Sequence, residues 1–238
     1  MTGHATSTKV LTLNIRHGGG KRAKQLIDIL VKSVADVVVL TEYKENANSV
    51  LIKQSLQELG YKWQTSSSAD SKKNAVFIGA KIPFVTQNPP IDFGSHRERM
   101  TFAQFADFNL LGVYFPQKEA KRAVFEFITT NAPRLLGNAG IVIGDFNTGR
   151  HLLDEEGKTF FCADCLDRLE EIGLVDSWRT RNPDTREFSW YSNAKNGFRI
   201  DHAFCTALLD GRVSSIVYDH APRESGATDH SALTVEFV

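Results

Sequence analysis

Residues 141–147, Ile141-Val142-Ile143-Gly144-Asp145-Phe146-Asn147, hold an apolar run that stops at a glycine and then delivers a carboxylate and an amide. A short apolar run of this kind reads as a buried strand, because it lacks the length and the three-and-four spacing of a helix. Comparable runs stand at 10–13, 37–40, 75–79, 101–108, 110–114, 188–191, 199–205, 213–217 and 232–237, and residues 101–108 alternate with a period of two. Helical spacing marks 21–33, 48–59, 119–136 and 164–172. Pro133 is expected to kink or end the third of these helices early. About ten strands exceed one comfortable open sheet. Two packed sheets with helices outside, an α/β architecture, are therefore expected.

The 238 residues are 42% hydrophobic and 24% charged, which excludes a disordered or collagen-like chain. No repeat or Pro/Gly/Ser linker divides them, so 9–238 read as one domain behind a tail at 1–8, with surface loops at 66–68 and 88–90. The longest apolar run falls far short of the ~18 residues of a membrane span, and the first eight residues lack the apolar stretch of a signal peptide. A cytoplasmic monomer without membrane contact is the expectation. Lys+Arg 28 balance Asp+Glu 28. This balance removes bulk charge as a sign of nucleic acid, yet a basic groove offset by acidic metal ligands would give the same sum. Cys162-Ala163-Asp164-Cys165 lacks the second ligand pair of a zinc site and reads as the start of a helix.

The residues that follow the apolar runs carry the chemistry. Asn14 ends the run at 10–13, Thr41-Glu42 follow 37–40, Tyr114 ends 110–114, and Asp145 and Asn147 follow 141–143. Asp201 falls inside an apolar strand, and Asp229-His230 precede the last one. Functional groups in α/β sheets gather where strands stop. Six strands thus send acids, amides, a phenol and an imidazole toward one rim. A buried Asp201 requires a partner, and His230 is the best candidate. The set suits hydrolysis of a phosphate ester with Mg²⁺, which takes one or two carboxylates and keeps several waters, a role for Glu42 and Asn14. Mn²⁺ accepts the same hard oxygen ligands. A carboxylate can orient or deprotonate the attacking water, and His⁺, Tyr and Asn can meet the charge that develops on the phosphoryl group.

Rival motifs fail on single residues. Gly157-Lys158-Thr159 would need glycine at 152 to end a P-loop, and Leu152 stands there. No G-x-S-x-G and no H-E-x-x-H occurs, so serine hydrolase and zincin chemistry drop out. Gly18-Gly19-Gly20 reads as a turn opening the first helix.

Taken in order, Leu13-Asn14, Thr41-Glu42, Gly112 to Gln117, Gly144-Asp145-Phe146-Asn147, Phe188-Ser189-Trp190, Arg199-Ile200-Asp201 and Thr228-Asp229-His230 resemble the motifs of the endonuclease/exonuclease/phosphatase superfamily. Tyr114-Phe115-Pro116-Gln117 and Phe188-Ser189-Trp190 are similar to its exonuclease III and abasic-endonuclease branch. The resemblance implies a DNase I-like fold, a four-layer sandwich of two packed mixed β-sheets flanked by helices. It also implies roles: Glu42 as principal Mg²⁺ ligand with Asn14 and Asp229 beside it, and Asp145 as activator of the attacking water. Asn147 would hold the scissile phosphate, His230 paired with Asp201 would meet a phosphate oxygen, and Tyr114 would be the active-site tyrosine. Two places depart from that branch, Arg16-His17-Gly18 in the first motif and His202 after Asp201.

The substrate implied is DNA, cut as a 3'-5' exonuclease or at abasic sites. The rivals are a phosphatase or phosphodiesterase of small phosphate esters or phospholipid head groups, and a binding module without catalysis. The cations expected to meet DNA are Arg97, Arg99 and Arg199, with Lys72, Lys73, Arg150, Arg179, Arg181 and Lys195 as further candidates. Trp190 and Phe198 are expected to wall a pocket for a sugar or flipped-out nucleotide.

Overall fold

Val37 and Val39 point to one side of their strand and Val38 and Leu40 to the other, and both sides are covered. That pattern recurs through a computed structural model that describes residues 7–86 and 91–238. The tail at 1–6 and the loop expected at 88–90 lie outside the described residues. In chain order the strands are β1 (Thr8–Asn14), β2 (Val37–Tyr43), β3 (Trp63–Ser66), β4 (Ala75–Ala80), β5 (Met100–Gln104), β6 (Asn109–Tyr114), β7 (Gly140–Asp145), β8 (Leu174–Asp176), β9 (Trp190–Tyr191), β10 (Gly197–Phe198), β11 (Asp201–Thr206), β12 (Val213–Asp219) and β13 (Ala232–Phe237). The helices are α1 (Ala23–Ser33), α2 (Ala47–Glu58), α3 (Lys121–Leu136), α4 (Asp164–Glu171), α5 (Ser177–Arg181), α6 (Ala207–Asp210) and α7 (Ala221–Glu224).

One sheet runs β12-β13-β1-β2-β4-β3 and the other β5-β6-β7-β11-β8, with β9 and β10 as a separate hairpin. Each large sheet is mixed: β1 pairs with β2 and β6 with β7 in parallel, and their other pairings are antiparallel. Val10, Val39 and Ile78 from the first sheet meet Leu110, Ile141 and Ala203 from the second. Outside the first sheet, Leu26 and Leu30 of α1 and Ile52 and Leu56 of α2 cover Leu11, Leu13, Val38 and Leu40. Outside the second, Phe125 and Ile128 of α3 and Leu166 and Leu169 of α4 cover Leu111, Val113 and Val142. The four expected layers are present. Each buried aliphatic side chain contributes about 1.5–3 kcal/mol, which is why uniformly apolar strands mark the middle of the sandwich. Gly144 is required at the end of β7: its φ is +147°, and a Cβ there would come within 2.0 Å of the Val113 carbonyl oxygen.

Several expectations shift. The strand read over 101–108 stops at Gln104, because the Phe105 N–H donates to the Phe108 carbonyl at 2.9 Å and the two rings stack across that turn. Helix α3 continues through Pro133 to Leu136, since Ala132, Leu135 and Leu136 are buried and anchor the last turn. Thr8, expected in the tail, opens β1 by pairing with Phe237. Strands β3, β8 and β10 were not marked by the apolar runs, being short or half polar.

Arg199, expected to contact substrate, is fully buried and cannot do so. Its Nε donates to Asp154 Oδ1 at 2.7 Å and its Nη2 to Asp176 Oδ2 at 2.6 Å. Arg179, another expected DNA contact, is also buried and donates to Asp154 Oδ1 at 2.5 Å. Burial opposes ionisation of Asp154 and Asp176, but Arg199 outweighs it and holds both carboxyls below the usual range. The network ties β8 and the segment before β11 to the 150–160 loop. Removing one partner strands buried charge, so Arg199→Met should cost about 3–5 kcal/mol, read as a lower urea midpoint in equilibrium unfolding.

Candidate active site

The ends of β1, β2, β6 and β7 and the start of β11 meet at one rim. Parallel pairing places Asn14 beside Thr41 and Tyr114 beside Asp145, and antiparallel pairing places Asp201 opposite Asp145. Side chains then close the gap between the sheets. Asn14 Nδ2 donates to Asp145 Oδ2 at 2.9 Å and to Glu42 Oε1 at 3.2 Å. The Asn14 oxygen accepts the Arg16 N–H at 2.8 Å, so the amide turns its NH₂ toward the two carboxylates. Tyr114 Oη stands 3.4 Å from Glu42 Oε1, and the Arg99 guanidinium lies 5.2 Å over the tyrosine ring. Burial, then the charges of Glu42 and Asp145, push the Tyr114 phenol well above its ordinary value, so it stays a protonated donor.

The backbone at this rim is strained. Glu42, Asn147, Arg16, His17 and Lys118 all have φ between +52° and +54°, a region uncommon for residues with a Cβ. Glu42 is steadied by the His17 N–H, which donates to Oε2 at 2.9 Å. Asn147 is held on every side: its N–H donates to Asp145 Oδ1 at 2.8 Å and its Nδ2 to the Phe115 carbonyl at 2.7 Å. Gln117 donates to its side-chain oxygen and Lys121 to its carbonyl. Lys121 is itself buried, which lowers its amine to about 8.

Asp145, Asp201 and His230 bring their ligand atoms within 4.8 Å of one another, and all three are buried. His230 Nδ1 lies 2.8 Å from Asp201 Oδ2. The Ser189 hydroxyl accepts the N–H groups of Ile200 and Asp201, and Ser231 N–H donates to the Ser189 carbonyl, which fixes both partners' backbones. Burial disfavours a charged His230, but Asp201 overrides it and raises the imidazole to about 9. Nδ1 therefore donates to Asp201 at neutral pH. Burial, reinforced by the Asp201 charge, pushes the Asp145 carboxyl up to about 7. The second oxygen of Asp201, Oδ1, is buried without a hydrogen-bond partner.

These groups open into a cavity of about 420 Å³ whose apolar wall is formed by Phe160, Phe161, Trp190, Phe198 and Ile200. Glu155 shapes that wall by accepting the N–H groups of Thr159 at 2.7 Å and Phe160 at 3.1 Å. The two aromatics expected at a pocket, Trp190 and Phe198, are in place, and Asp229 lies nearby with Trp190 Nε1 3.4 Å from its Oδ2. Arg97 lines a different groove with Ser66, Ser67 and Asp92 and pairs with Asp92 at 3.4 Å. Arg150, Arg181 and Lys73 are likewise engaged with carboxylates. Gln117, Lys121, Phe160 and Phe161 were not among the expected site residues. Gln117 follows the strand-end tyrosine and carried a signal; Lys121, a lone cation at the start of a helix, carried none.

The profile of the endonuclease/exonuclease/phosphatase family matches residues 11–230. Among solved structures, this chain resembles an AP endonuclease from Archaeoglobus fulgidus, with 20% identity, TM-score 0.80 and coverage of 97% of this chain and 99% of that one. It also resembles a 3' phosphatase, NExo, from Neisseria bound to a product DNA hairpin, at 21% identity and TM-score 0.79, with the same coverage. A third, a 3'-5' exonuclease, NExo, from Neisseria meningitidis, matches at 22% identity and TM-score 0.78 over 97% and 99% of the two chains. With the strand-end carboxylates, the paired imidazole and the profile match in agreement, the chain belongs to the endonuclease/exonuclease/phosphatase family.

Proposed function

We infer that the protein is a divalent-metal-dependent phosphodiester hydrolase acting on DNA, as an exonuclease III-like 3'-5' exonuclease, an abasic-site endonuclease or both. The observation that carries this reading is the convergence of Asp145 with the His230–Asp201 pair at the floor of an aromatic-walled cavity. The DNA-bound state of one structural neighbour and the abasic-endonuclease description of another support the choice of substrate.

The donor set fits a hard cation. Glu42 and Asp145 both accept from one amide, and Asp229 lines the same cavity, so three carboxylates crowd a site where their mutual repulsion favours a bound divalent ion. Mg²⁺ or Mn²⁺ held by Glu42, with Asn14 and Asp229 beside it, would supply Lewis-acid polarisation of a phosphoryl oxygen. The chain's own groups account for the rest. Asp145 accepts a proton from the attacking water, with its Oδ1 fixed by the Asn147 N–H and its Oδ2 by Asn14. Asn147 keeps one amide hydrogen for a phosphate oxygen after satisfying Phe115. Protonated His230 presents its remaining N–H to the oxygen on which charge builds, and Tyr114 offers a neutral donor. Water enters opposite the leaving 3' oxygen, so the configuration at phosphorus inverts. Trp190 and Phe198 exclude water beside the sugar.

Asp145→Asn should lower turnover by about 10²–10⁴-fold on a labelled duplex with one abasic site while the protein stays folded by circular dichroism, and EDTA should abolish incision of the same duplex. Full turnover by that variant would remove Asp145 from its role. Asp201→Asn leaves His230 buried without its counter-charge, so the imidazole should titrate well below about 9, followed by its ring-proton NMR signals. Both His230 and Asp145 have folded-state values above their unfolded ones, so the folded state binds more protons. The stability they contribute is complete at low pH and is lost as pH rises through about 7 and then about 9. Metal-free protein should accordingly show a lower urea midpoint at about pH 10 than at about pH 6, and added Mg²⁺ should shrink the difference.

A further inference from the structure

Asp229 stands in the wall between the catalytic cavity and a second cleft, of about 440 Å³, whose other lining residues are Tyr191, Lys195, Arg223 and Thr228. The Arg223 guanidinium lies 4.6 Å over the Tyr191 ring, and its Nε donates to Ser231 Oγ at 3.2 Å. Lys195 sits at the tip of the β9–β10 turn with φ +66°, where the Ser192 N–H closes onto the Asn196 carbonyl at 2.9 Å. Among the described residues no carboxylate forms an ion pair with Arg223 or Lys195. Several other surface arginines are paired with carboxylates: Arg97 with Asp92, Arg122 with Asp164, Arg150 with Asp167, Arg181 with Asp210, Arg186 with Glu156 and, at the rim, Arg16 with Asp229 at 3.7 Å. Arg22 and Arg99, which also form no ion pair, stand by the same rim, Arg22 near Asp229 and Glu42, Arg99 on Tyr114. Arg223 and Lys195 therefore present positive charge without an ion-pair partner directly beside the catalytic cavity.

Cations without an ion-pair partner beside an exposed aromatic ring suit a phosphate followed by a sugar and base: guanidinium and ammonium donors take the phosphate oxygens, and the ring offers a stacking face. An acidic peptide would satisfy the cations but would have no reason to adjoin a phosphodiester-cleaving cavity. We propose that this cleft, resting on the reading of the cavity as a DNA-hydrolysing site, holds the backbone phosphate and nucleoside next to the scissile phosphate, and that Arg223, Lys195 and Tyr191 thereby select a polynucleotide over a small phosphate ester.

Binding of a fluorescein-labelled DNA hairpin with a single-stranded 3' end, followed by anisotropy with Asp145→Asn protein in Mg²⁺ over a range of KCl, tests this. Adding Arg223→Ala and Lys195→Ala together should weaken Kd about tenfold or more at fixed salt and reduce the slope of log Kd against log salt by about two, one per lost cation. Arg223→Lys should keep the slope. Removing two cations at the opposite end of β1 and β2, Lys32→Ala with Lys62→Ala, should change neither quantity. Binding by the Arg223/Lys195 variant that matches its parent, or an equal loss in the Lys32/Lys62 control, overturns the proposal. A separate outcome, tight and Arg223-dependent binding by a wild-type protein that leaves DNA intact in Mg²⁺ and Mn²⁺, keeps the cleft and overturns the hydrolytic reading alone.

Discussion

Two carboxylates, Asp145 and Asp201, face each other across the β7–β11 pairing with almost no exposure to water. Burying one ionised carboxylate is costly, and burying two side by side is tolerable only when protons, cations or directed hydrogen bonds share the charge. The structure around them answers that need. His230 carries a proton for Asp201, Asn14 reaches from the opposite sheet to Asp145, and the Ser189 hydroxyl pins the backbone at Ile200 and Asp201. Without this arrangement the strand ends could not lie so close, and the cavity that opens over them would not have its polar floor.

Two buried charge clusters among the described residues differ in character. In one, Arg199 and Arg179 meet Asp154 and Asp176 through short, multiple hydrogen bonds, so each carboxylate has a cation facing it. Such a cluster is inert and fixes geometry. In the other, acids outnumber cations, Asp201 Oδ1 has no partner, and Asp145 has its carboxyl raised toward neutrality by burial. A cluster left incomplete by the chain is one that a cation and a substrate can complete. The two lie a few residues apart in sequence, Arg199 in one and Asp201 in the other, so the rigid cluster directly buttresses the reactive one.

The strained turns follow from the same demand. Glu42, at the irregularity near the end of β2, and Asn147, just past the end of β7, adopt left-handed backbone conformations, which folds their side chains back over the rim instead of continuing outward. Their cost is offset by backbone and side-chain donors from His17, Gln117 and Lys121. Lys121 is instructive because burial favours its neutral form while the Asn147 carbonyl accepts from it. It serves the turn and not the solvent.

The sequence by itself determined two packed sheets with helices outside, because uniformly apolar runs such as 37–40 and 141–143 have no stable place except between two covered faces. It also determined the rim, since Asn14, Glu42, Tyr114, Asp145 and Asn147 each end such a run, and it named His230 as the partner that a buried Asp201 requires. Tertiary structure decided which cations face the site. Arg199 and Arg97 look alike in a sequence, yet Arg199 is enclosed by two aspartates and Arg97 lies over another groove. Charge type is local, but the direction a long side chain takes depends on carboxylates distant in sequence, such as Asp154, forty-five positions from Arg199. For the same reason Lys121, Phe160 and Arg223 acquired their places only when helix, loop and sheet came together.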